Sequence, residues 1–593
     1  MTGTDTAGLA KAVDQILDDS WGRPHQAASA DLDALWSIAA AQGWFELSGS
    51  LEDALTIVRG TGRHACPLPV LDAFVAGEVL TAHPDLVLSI GLGVIRVVLG
   101  TPDPGSGATY VEAGAVATHV LTVPAGEGEA ALHPVVAAEP VPGLAVPAWC
   151  RVTLADPTAT VPLDVETADR AAVLHHLGLA VRALAAAEHS HELALARART
   201  RKQFGRTIGS YGPVQRRLVD SHVELAASDL LIAEAARRHR TPGWRLAAQL
   251  AVVHARRVAP RVQSAAHHTL AAVGYFEQHD APWLFRRVHA DLAWLAATPA
   301  PRGDVAEALL DDGADLPDPL LGSEADAART RFRRLLADRG PWPEATVTGR
   351  DHPDAVAALG ADGWFSMGWP TTAGGQGACP AAQSAVQQEV FHHRLPVTSA
   401  LAAAMTVGGV IARHGTPEQR ADLLPRIARG ELSTAVGYSE PEAGSDLAAL
   451  RTRAVRDGDH WVITGRKAWA SDAHRARHLW LAARTDPDAV PAQAGITLFL
   501  LAMDSPGIGV IPDIGLSGQV ACEITLDAVR VPDTARVGPV NGGRRVLNDA
   551  LGSERVLLGG MAATAHHRPL HRHGRRQAVP RTQYDAGVRG PFS

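Results

Sequence analysis

The stretch from Tyr438 to Ser471, YSEPEAGSDLAALRTRAVRDGDHWVITGRKAWAS, constrains this chain more than any other. Its first part, Ser439 to Asp446, has the composition of a tight loop. Pro441 fixes φ and Gly444 permits φ above zero, so backbone N–H groups are free to converge on one point. Ser439, Ser445 and Asp446 add short polar side chains. The second part alternates. Trp461, Ile463 and Gly465 oppose Val462, Thr464 and Arg466, and Trp469 and Ser471 follow. That period of two predicts a strand. A polar turn joined to Trp-bearing strands suits a flat aromatic ligand with a phosphate tail. The same residues also describe a surface β-hairpin with core tryptophans.

The chain has 593 residues, too many for one hydrophobic core, so two or more domains are expected. A net charge of −8 argues against general nucleic-acid binding. Lysine is rare: Lys11, Lys202 and Lys467 stand alone among 55 basic residues. Cys66, Cys150, Cys379 and Cys522 are scattered, with neither metal-ligand spacing nor a disulfide framework. This pattern predicts a reducing, cytoplasmic setting and no metal site. The N-terminal MTGTDTAGLAKAVDQ lacks the basic and apolar regions of a signal peptide. No apolar run reaches the roughly 20 residues a membrane helix needs.

Two short sequences hint at related halves. Ala41-Gln42-Gly43-Trp44-Phe45 follows a helical run, with Gly43 at a helix C′ position. Ala361-Asp362-Gly363-Trp364-Phe365 repeats it much later. Between them, residues 85 to 165 read as β-like, including Val87-Leu88-Ser89-Ile90, Val97-Val98-Leu99 and Val120-Leu121-Thr122-Val123. Residues 168 to 300 read as long Ala- and Leu-rich helices of a bundle. Arg201 to Ser210, RKQFGRTIGS, gathers cations, an amide and an aromatic beside a glycine turn. Such a cluster suits a phosphate. It equally describes a helix C-terminus lined with arginines and stopped by Gly205. A Pro- and Asp-rich linker follows.

Several of these segments resemble the acyl-CoA dehydrogenase family, flavoenzymes that desaturate acyl-CoA thioesters. The carriers are SEPEAGSD with its following strand, RKQFGRTIGS, and the loop Trp369-Pro370 through Gly374-Gly375-Gln376-Gly377. GYFEQHDAPWLFRR from Gly274, and Ala521 to Pro532, add to them. The resemblance implies FAD as cofactor. By it Ser439, Ser445, Trp469 and Ser471 hold the flavin ring, and Ser445 also lies near the CoA phosphate. Arg201, Gln203 and Phe204 would serve the FAD pyrophosphate. The first half departs from the pattern. The family's paired glycines are Ala271-Ala272, its glutamine is His268, a second glutamine is Gly212 though Gln215 remains, and the two base positions fall near Ala296 and His175.

The reaction implied needs a carboxylate to take the α-proton while the β-hydride passes to flavin N5. A carboxylate suits this because burial raises its pKa toward the working pH. Glu554, in LGSERVLLGG, is the candidate base, as in the branch resembling isovaleryl-CoA dehydrogenase and the steroid side-chain dehydrogenases. Arg555 is assigned to substrate binding. The bland alternative for Glu554 is a glutamate in the first turns of a helix, favoured by the macrodipole. From His566 to Ser593 the chain has six arginines, four histidines and one acid, and helical periodicity stops. This reads as a disordered basic tail in place of most of a second C-terminal domain, as a frameshift or truncation would leave.

The expected architecture is mainly α with β, in two tandem lobes. The first comprises a helical N-domain (1–84), a reduced β middle domain (85–167) and a helical-bundle C-domain (168–300). A linker (301–325) leads to a second helical N-domain (326–430), a β-barrel-like middle domain with the flavin loop (431–540), the start of a C-domain (541–565) and the basic tail (566–593). The expected function is FAD-dependent α,β-desaturation of an acyl-CoA, with a bulky or steroid side-chain acyl group. One flavin is expected per pair of lobes, its ring in the second and its diphosphate touched by the first. Electron-transferring flavoprotein is the implied acceptor and a homodimer of such pseudo-dimers the implied assembly. The alternatives are a non-catalytic remnant or flavin-binding partner subunit, and a related flavin oxidase or monooxygenase.

Overall fold

The computed structural model describes residues 6–46, 50–102, 108–141, 149–297, 305–311, 318–346, 350–516 and 518–565. The basic segment 566–593, with its histidines, lies outside them, as do parts of the segment read as a linker. The fold is mainly helical with β-sheet, and it divides into two compact units, Met1–Pro319 and Leu320–Ser593.

The first unit begins with helices Thr6–Ser20, Leu32–Ala41, Leu51–Arg63, Val70–Val79 and Pro84–Gly91. A seven-stranded sheet follows, within Val97–Leu163. Then come the 36-residue helix Val165–Thr200 and the helices Gly212–Arg237, Trp244–Leu270 and Ala281–Ala297. The long helix starts where Asp164 accepts the Thr167 N–H at 2.8 Å, an N-cap the Asp side chain is suited to make. Its middle, from Val173 to Ala187, is buried on every side, which suits its Ala- and Leu-rich content.

Residues 87–90 correct the sequence reading. They lie inside the helix Pro84–Gly91, not in a strand. The apolar run cannot itself distinguish the two, but Pro84 at the first helical position and Asp85 in the first turn favour the helix. The repeated Gly-Trp-Phe sequences do the same work in both units. Gly43 (φ +71°) and Gly363 (φ +73°) take the left-handed conformation. Behind them the Trp44 and Trp364 N–H groups reach back to Ala39 and Leu359 oxygens at 3.0 Å. These turns end their helices and swing Trp44, Phe45, Trp364 and Phe365 into the cores.

The second unit has helices Ser323–Arg339, Pro353–Ala361, Pro380–His392, Thr398–Ala402, Gly409–His414 and Pro417–Ala428. A π-helical turn, Ala403–Gly408, joins two of them. An eight-stranded sheet follows, in the order Ile508–Ile514, Val520–Pro532, His460–Ser471, Arg453–Asp457, His478–Arg484, Ile496–Ala502 and Arg536–Val537. Thr434–Gly437 pairs in parallel with His478–Arg484. The helix Gly543–Ala565 closes the described chain.

One charged cluster is buried in the first unit. Arg182, from the long helix, donates to Asp291 at 2.6 Å and to Glu112 at 2.9 Å. Arg287 donates to the same two carboxylates. Two guanidiniums thus balance two carboxylates, tying the sheet to two helices in a low-dielectric interior. Asp291→Ala leaves two cations on one carboxylate. The expected cost is about 3–5 kcal/mol of stability, measured by urea denaturation of the full chain. An unchanged midpoint would deny the cluster this role.

Candidate functional site

The loop Ser439–Asp446 is held from beneath by a lysine. Lys467 has no exposed surface and donates to the Tyr438 carbonyl at 3.1 Å and to Glu440 Oε1 at 2.9 Å. The Glu440 carboxylate also accepts the backbone N–H groups of Arg451 (2.6 Å) and Thr452 (2.8 Å). N–H groups do converge near this loop, but on Glu440 itself. Gly444 is not among the residues with positive φ, so the loop's shape comes from the buried pair and not from a left-handed glycine. Burial pushes the Lys467 ammonium down to about 8, against the pull of Glu440. The Glu440 carboxyl is held low: burial opposes ionisation, but Lys467 and the N–H donors outweigh it.

The strand His460–Ser471 carries the expected alternation, with Trp461, Ile463 and Lys467 inward. Trp469 shares their parity yet points outward. Between Lys467 (paired with Ile524) and Ala470 (paired with Cys522) the strand gains one residue over its neighbour. This β-bulge puts Trp469 at φ +56° with 64% of its surface exposed, and turns Ala470 inward. Ser445 and Ser471 are exposed as well, and Ser439 is half-buried, its carbonyl accepting the Ala468 N–H at 3.0 Å. The exposed indole of Trp469 and the exposed Ser471 stand on the same strand, a surface suited to a flat polar ring.

Glu554 lies three full turns beyond the start of the helix Gly543–Ala565. There the macrodipole no longer reaches it, which removes the helix-start explanation. Val546, Leu547, Ala550 and Leu557 make the buried face. Glu554 follows Ala550 by four and precedes Leu557 by three, so it shares that face. The helix is fixed by His414 Nε2, 2.7 Å from Asp549. Burial raises the Glu554 carboxyl above the usual range, partly offset by Arg555, which is itself exposed. Buried Tyr438 accepts the Trp480 indole N–H on its hydroxyl at 2.6 Å. Burial and the neighbouring Glu554 charge keep that phenol protonated.

Ser553, the residue before Glu554, lines a small cavity of about 70 Å³ with Trp364, Phe365, Trp369, Val386 and Met405, to which Arg413 also contributes. Met405 stands on the π-turn. There the Ala404 carbonyl accepts both the Gly409 N–H and the Trp369 indole N–H (3.1 Å). A Cβ on Gly408 would meet Trp369 Cζ2 at 2.2 Å, so only glycine lets the indole lie across this turn. Sequence reasoning assigned no role to Tyr438, Trp480, Met405 or the burial of Lys467. Lys467 had a signal, its shared parity with Trp461 and Ile463. The π-turn had none.

In the first unit Arg201, Gln203 and Phe204 sit on a two-stranded hairpin, Lys202–Gln203 against Arg206–Thr207. Phe204 (φ +52°) and Gly205 (φ +78°) make its turn. All three candidates are exposed, Phe204 to 93%. The helix ends at Thr200, so Gly205 shapes the hairpin rather than stopping the helix. Among the described residues no cluster of three or more potential metal ligands occurs.

Residues 170–309 match the family model of the acyl-CoA dehydrogenase C-terminal domain, 322–431 the N-terminal domain and 435–529 the middle domain. Acyl-CoA dehydrogenase FadE34 of Mycobacterium tuberculosis is 31% identical over 570 residues, 91% of this chain and 76% of that protein. FadE29 of the same organism is 40% identical over 233 residues, 39% of this chain and 59% of that one. Among solved structures, the Tcur3481-Tcur3483 steroid ACAD is 37% identical with a TM-score of 0.35, covering 42% of this chain and 65% of that chain. The ChsE4-ChsE5 complex from Mycobacterium tuberculosis is 33% identical with a TM-score of 0.34, covering 40% and 60%. Apart from FadE34, the chain spans between half and two thirds of the length of these proteins.

Lys467→Met leaves the Glu440 carboxylate buried against two N–H groups alone. The expected loss is about 3–5 kcal/mol, with faster amide exchange at Arg451 and Thr452. Unchanged exchange there would separate the loop's shape from the lysine.

Proposed function

This chain belongs to the acyl-CoA dehydrogenase family, and we propose that its second unit carries an FAD-dependent site that desaturates an acyl-CoA thioester between Cα and Cβ. The half-buried, raised carboxyl of Glu554, adjacent to the cavity-lining Ser553, carries this reading. Glu554 is the proposed catalytic base. Its burial brings its pKa toward working pH, which suits abstraction of a weakly acidic α-proton. The apolar part of the acyl group would enter at the aromatic-lined cavity beside Ser553, and a bulky or steroid side-chain acyl group is the proposed substrate class. Tyr438, kept neutral and held by Trp480, adds no second negative charge beside the base. Arg555, exposed next to it, is proposed to meet the CoA portion.

The residues present fit a flavin. Trp469 offers an indole face at the bulge, and Ser439, Ser445 and Ser471 offer hydroxyls around it. FAD, when bound, supplies the acceptor for the β-hydride. Arg201, Gln203 and Phe204, exposed on their hairpin, are proposed to contact its diphosphate. The matching C-terminal domain precedes the N-terminal and middle domains in this chain. We read that order as the first unit keeping one C-domain and the second keeping the N- and middle domains. Electron-transferring flavoprotein is the proposed acceptor, and a homodimer the proposed assembly. The four free cysteines support a cytoplasmic location. No helix among the described residues is long and apolar enough to cross a membrane.

Anaerobic titration of the purified chain with a panel of acyl-CoAs tests this. Flavin absorbance should bleach with the productive substrate. Colourless protein that takes up no FAD would favour the non-catalytic remnant, and peroxide release without an added acceptor the oxidase. Glu554→Gln should keep the flavin colour and lower the reduction rate about 10²- to 10⁴-fold. The pH dependence has a definite sign. A raised carboxyl is protonated, and idle as a base, at pH values where an ordinary glutamate is already ionised. The reduction rate should therefore climb with pH through an apparent pKa above the ordinary glutamate value, and Glu554→Gln should remove that limb.

A further inference from the structure

The helix Gly543–Ala565 carries Glu554, and three kinds of support hold it in the second unit. At its start, the Asn541 N–H donates to Thr497 Oγ1 at 2.8 Å. Gly543 lies so close to the sheet that a Cβ there would meet the Ile496 carbonyl oxygen at 2.5 Å. Along its length Val546, Leu547, Ala550 and Leu557 are buried. Apolar burial is non-directional, so it keeps the helix on the core without fixing its rotation. The third support is directional. His414 Nε2 lies 2.7 Å from Asp549 Oδ2, and a carboxylate only accepts, so the imidazole donates. Arg413, on the wall of the cavity beside Ser553, stands 3.8 Å from the same oxygen. Among the described residues these are the helix's only polar side-chain contacts with another element.

His414 belongs to a tightly built corner. It closes the helix Gly409–His414, and Thr416 and Gln419 form the capping box that opens the helix Pro417–Ala428. Between the two helices, a Cβ on Gly415 would meet the Ile411 oxygen at 2.7 Å. The Gln419 amide donates onward to the Thr534 and Arg536 carbonyls, both at 2.7 Å, which ties the corner to the strand Arg536–Val537. Exposed ion pairs contribute little, but here the His414 side chain is only 8% exposed. On the other side, Asp549 lies one turn before Ser553, whose hydroxyl donates to its carbonyl at 3.3 Å, and five residues before Glu554. We propose that His414 is a positioning residue for the base. Through Asp549 it sets the rotation of the helix, and so the direction in which the Glu554 carboxyl points. This inference rests on the proposed role of Glu554. Its effect on rate follows from geometry, since a misplacement of about 1 Å costs on the order of 10²-fold.

Two variants of the full chain, loaded with FAD, test the proposal. His414→Leu removes the donor, and His414→Gln keeps an N–H on a side chain of similar reach. His414→Leu should lower the limiting rate of flavin reduction by acyl-CoA about 10- to 10²-fold, with little change in the acyl-CoA concentration that half-saturates it. His414→Gln should recover most of that rate, which a role in packing alone would not produce. Hydrogen exchange on the chain without substrate gives a second readout. Amides of the helix Gly543–Ala565 should exchange faster in His414→Leu, those of the strand His478–Arg484 should not, and His414→Gln should restore the helix. Should His414→Leu fail to fold by circular dichroism, Asp549→Asn, which keeps the size and weakens the acceptor, takes its place. An unchanged reduction rate, a rate that His414→Gln leaves unrestored, or exchange that rises equally in helix and strand would overturn the proposal. If no acyl-CoA reduces the unaltered protein's flavin, the reading of Glu554 as base falls and the positioning role with it. The exchange data then decide only whether His414 holds the helix.

Discussion

The second unit's site depends on one buried ion pair. Lys467 and Glu440 meet under the loop from Ser439 to Asp446, and each also holds backbone groups. Burying two charges costs several kcal/mol per ion, and such a pair survives only where further hydrogen bonds complete it. The two partners shift in ways that look opposed. Burial wins at Lys467, which gains one carbonyl beyond its partner, whereas the partners win at Glu440, which gains two N–H groups. The difference is in the number of backbone contacts each receives. The consequence is a loop whose path is fixed by charge from inside, leaving its serines and Trp469 turned to the surface.

Much of the second unit could be read from residue order. The polar loop from Ser439 to Asp446 follows from its composition, and the alternation from Trp461 to Ile463 from short-range periodicity. The Gly43 and Gly363 turns were visible because left-handed glycines have a local signature. What escaped required knowledge of neighbours. Trp469 faces outward only because the adjacent strand is one residue shorter there. The pairing of Arg182 and Arg287 with Glu112 and Asp291 joins residues up to 175 positions apart. The segment 87–90 was misread because so short a run, three apolar residues and Ser89, fits either period, and the deciding proline lay just before it. That the chain divides near residue 320 was foreshadowed by its length and by the echo between the halves, but the division itself is a property of packing.

The cavity beside Ser553 and the raised carboxyl of Glu554 belong to one helix. Desolvation pushes an acid up, so the half-burial that seats Glu554 against the apolar face of that helix also favours its protonated form. Position on the helix and readiness to hold a proton are thus outcomes of the same packing.

The π-turn from Ala403 to Gly408 has a consequence for how such a cavity can change. It holds one more residue per turn than the helices on either side. Deleting a single residue there would restore ordinary winding and rotate everything on one side by about 100°, carrying Met405 off the wall. The cavity's outline is therefore encoded in segment length as well as in side-chain identity. A lineage could reshape it in one genetic event without altering any residue that touches the ligand.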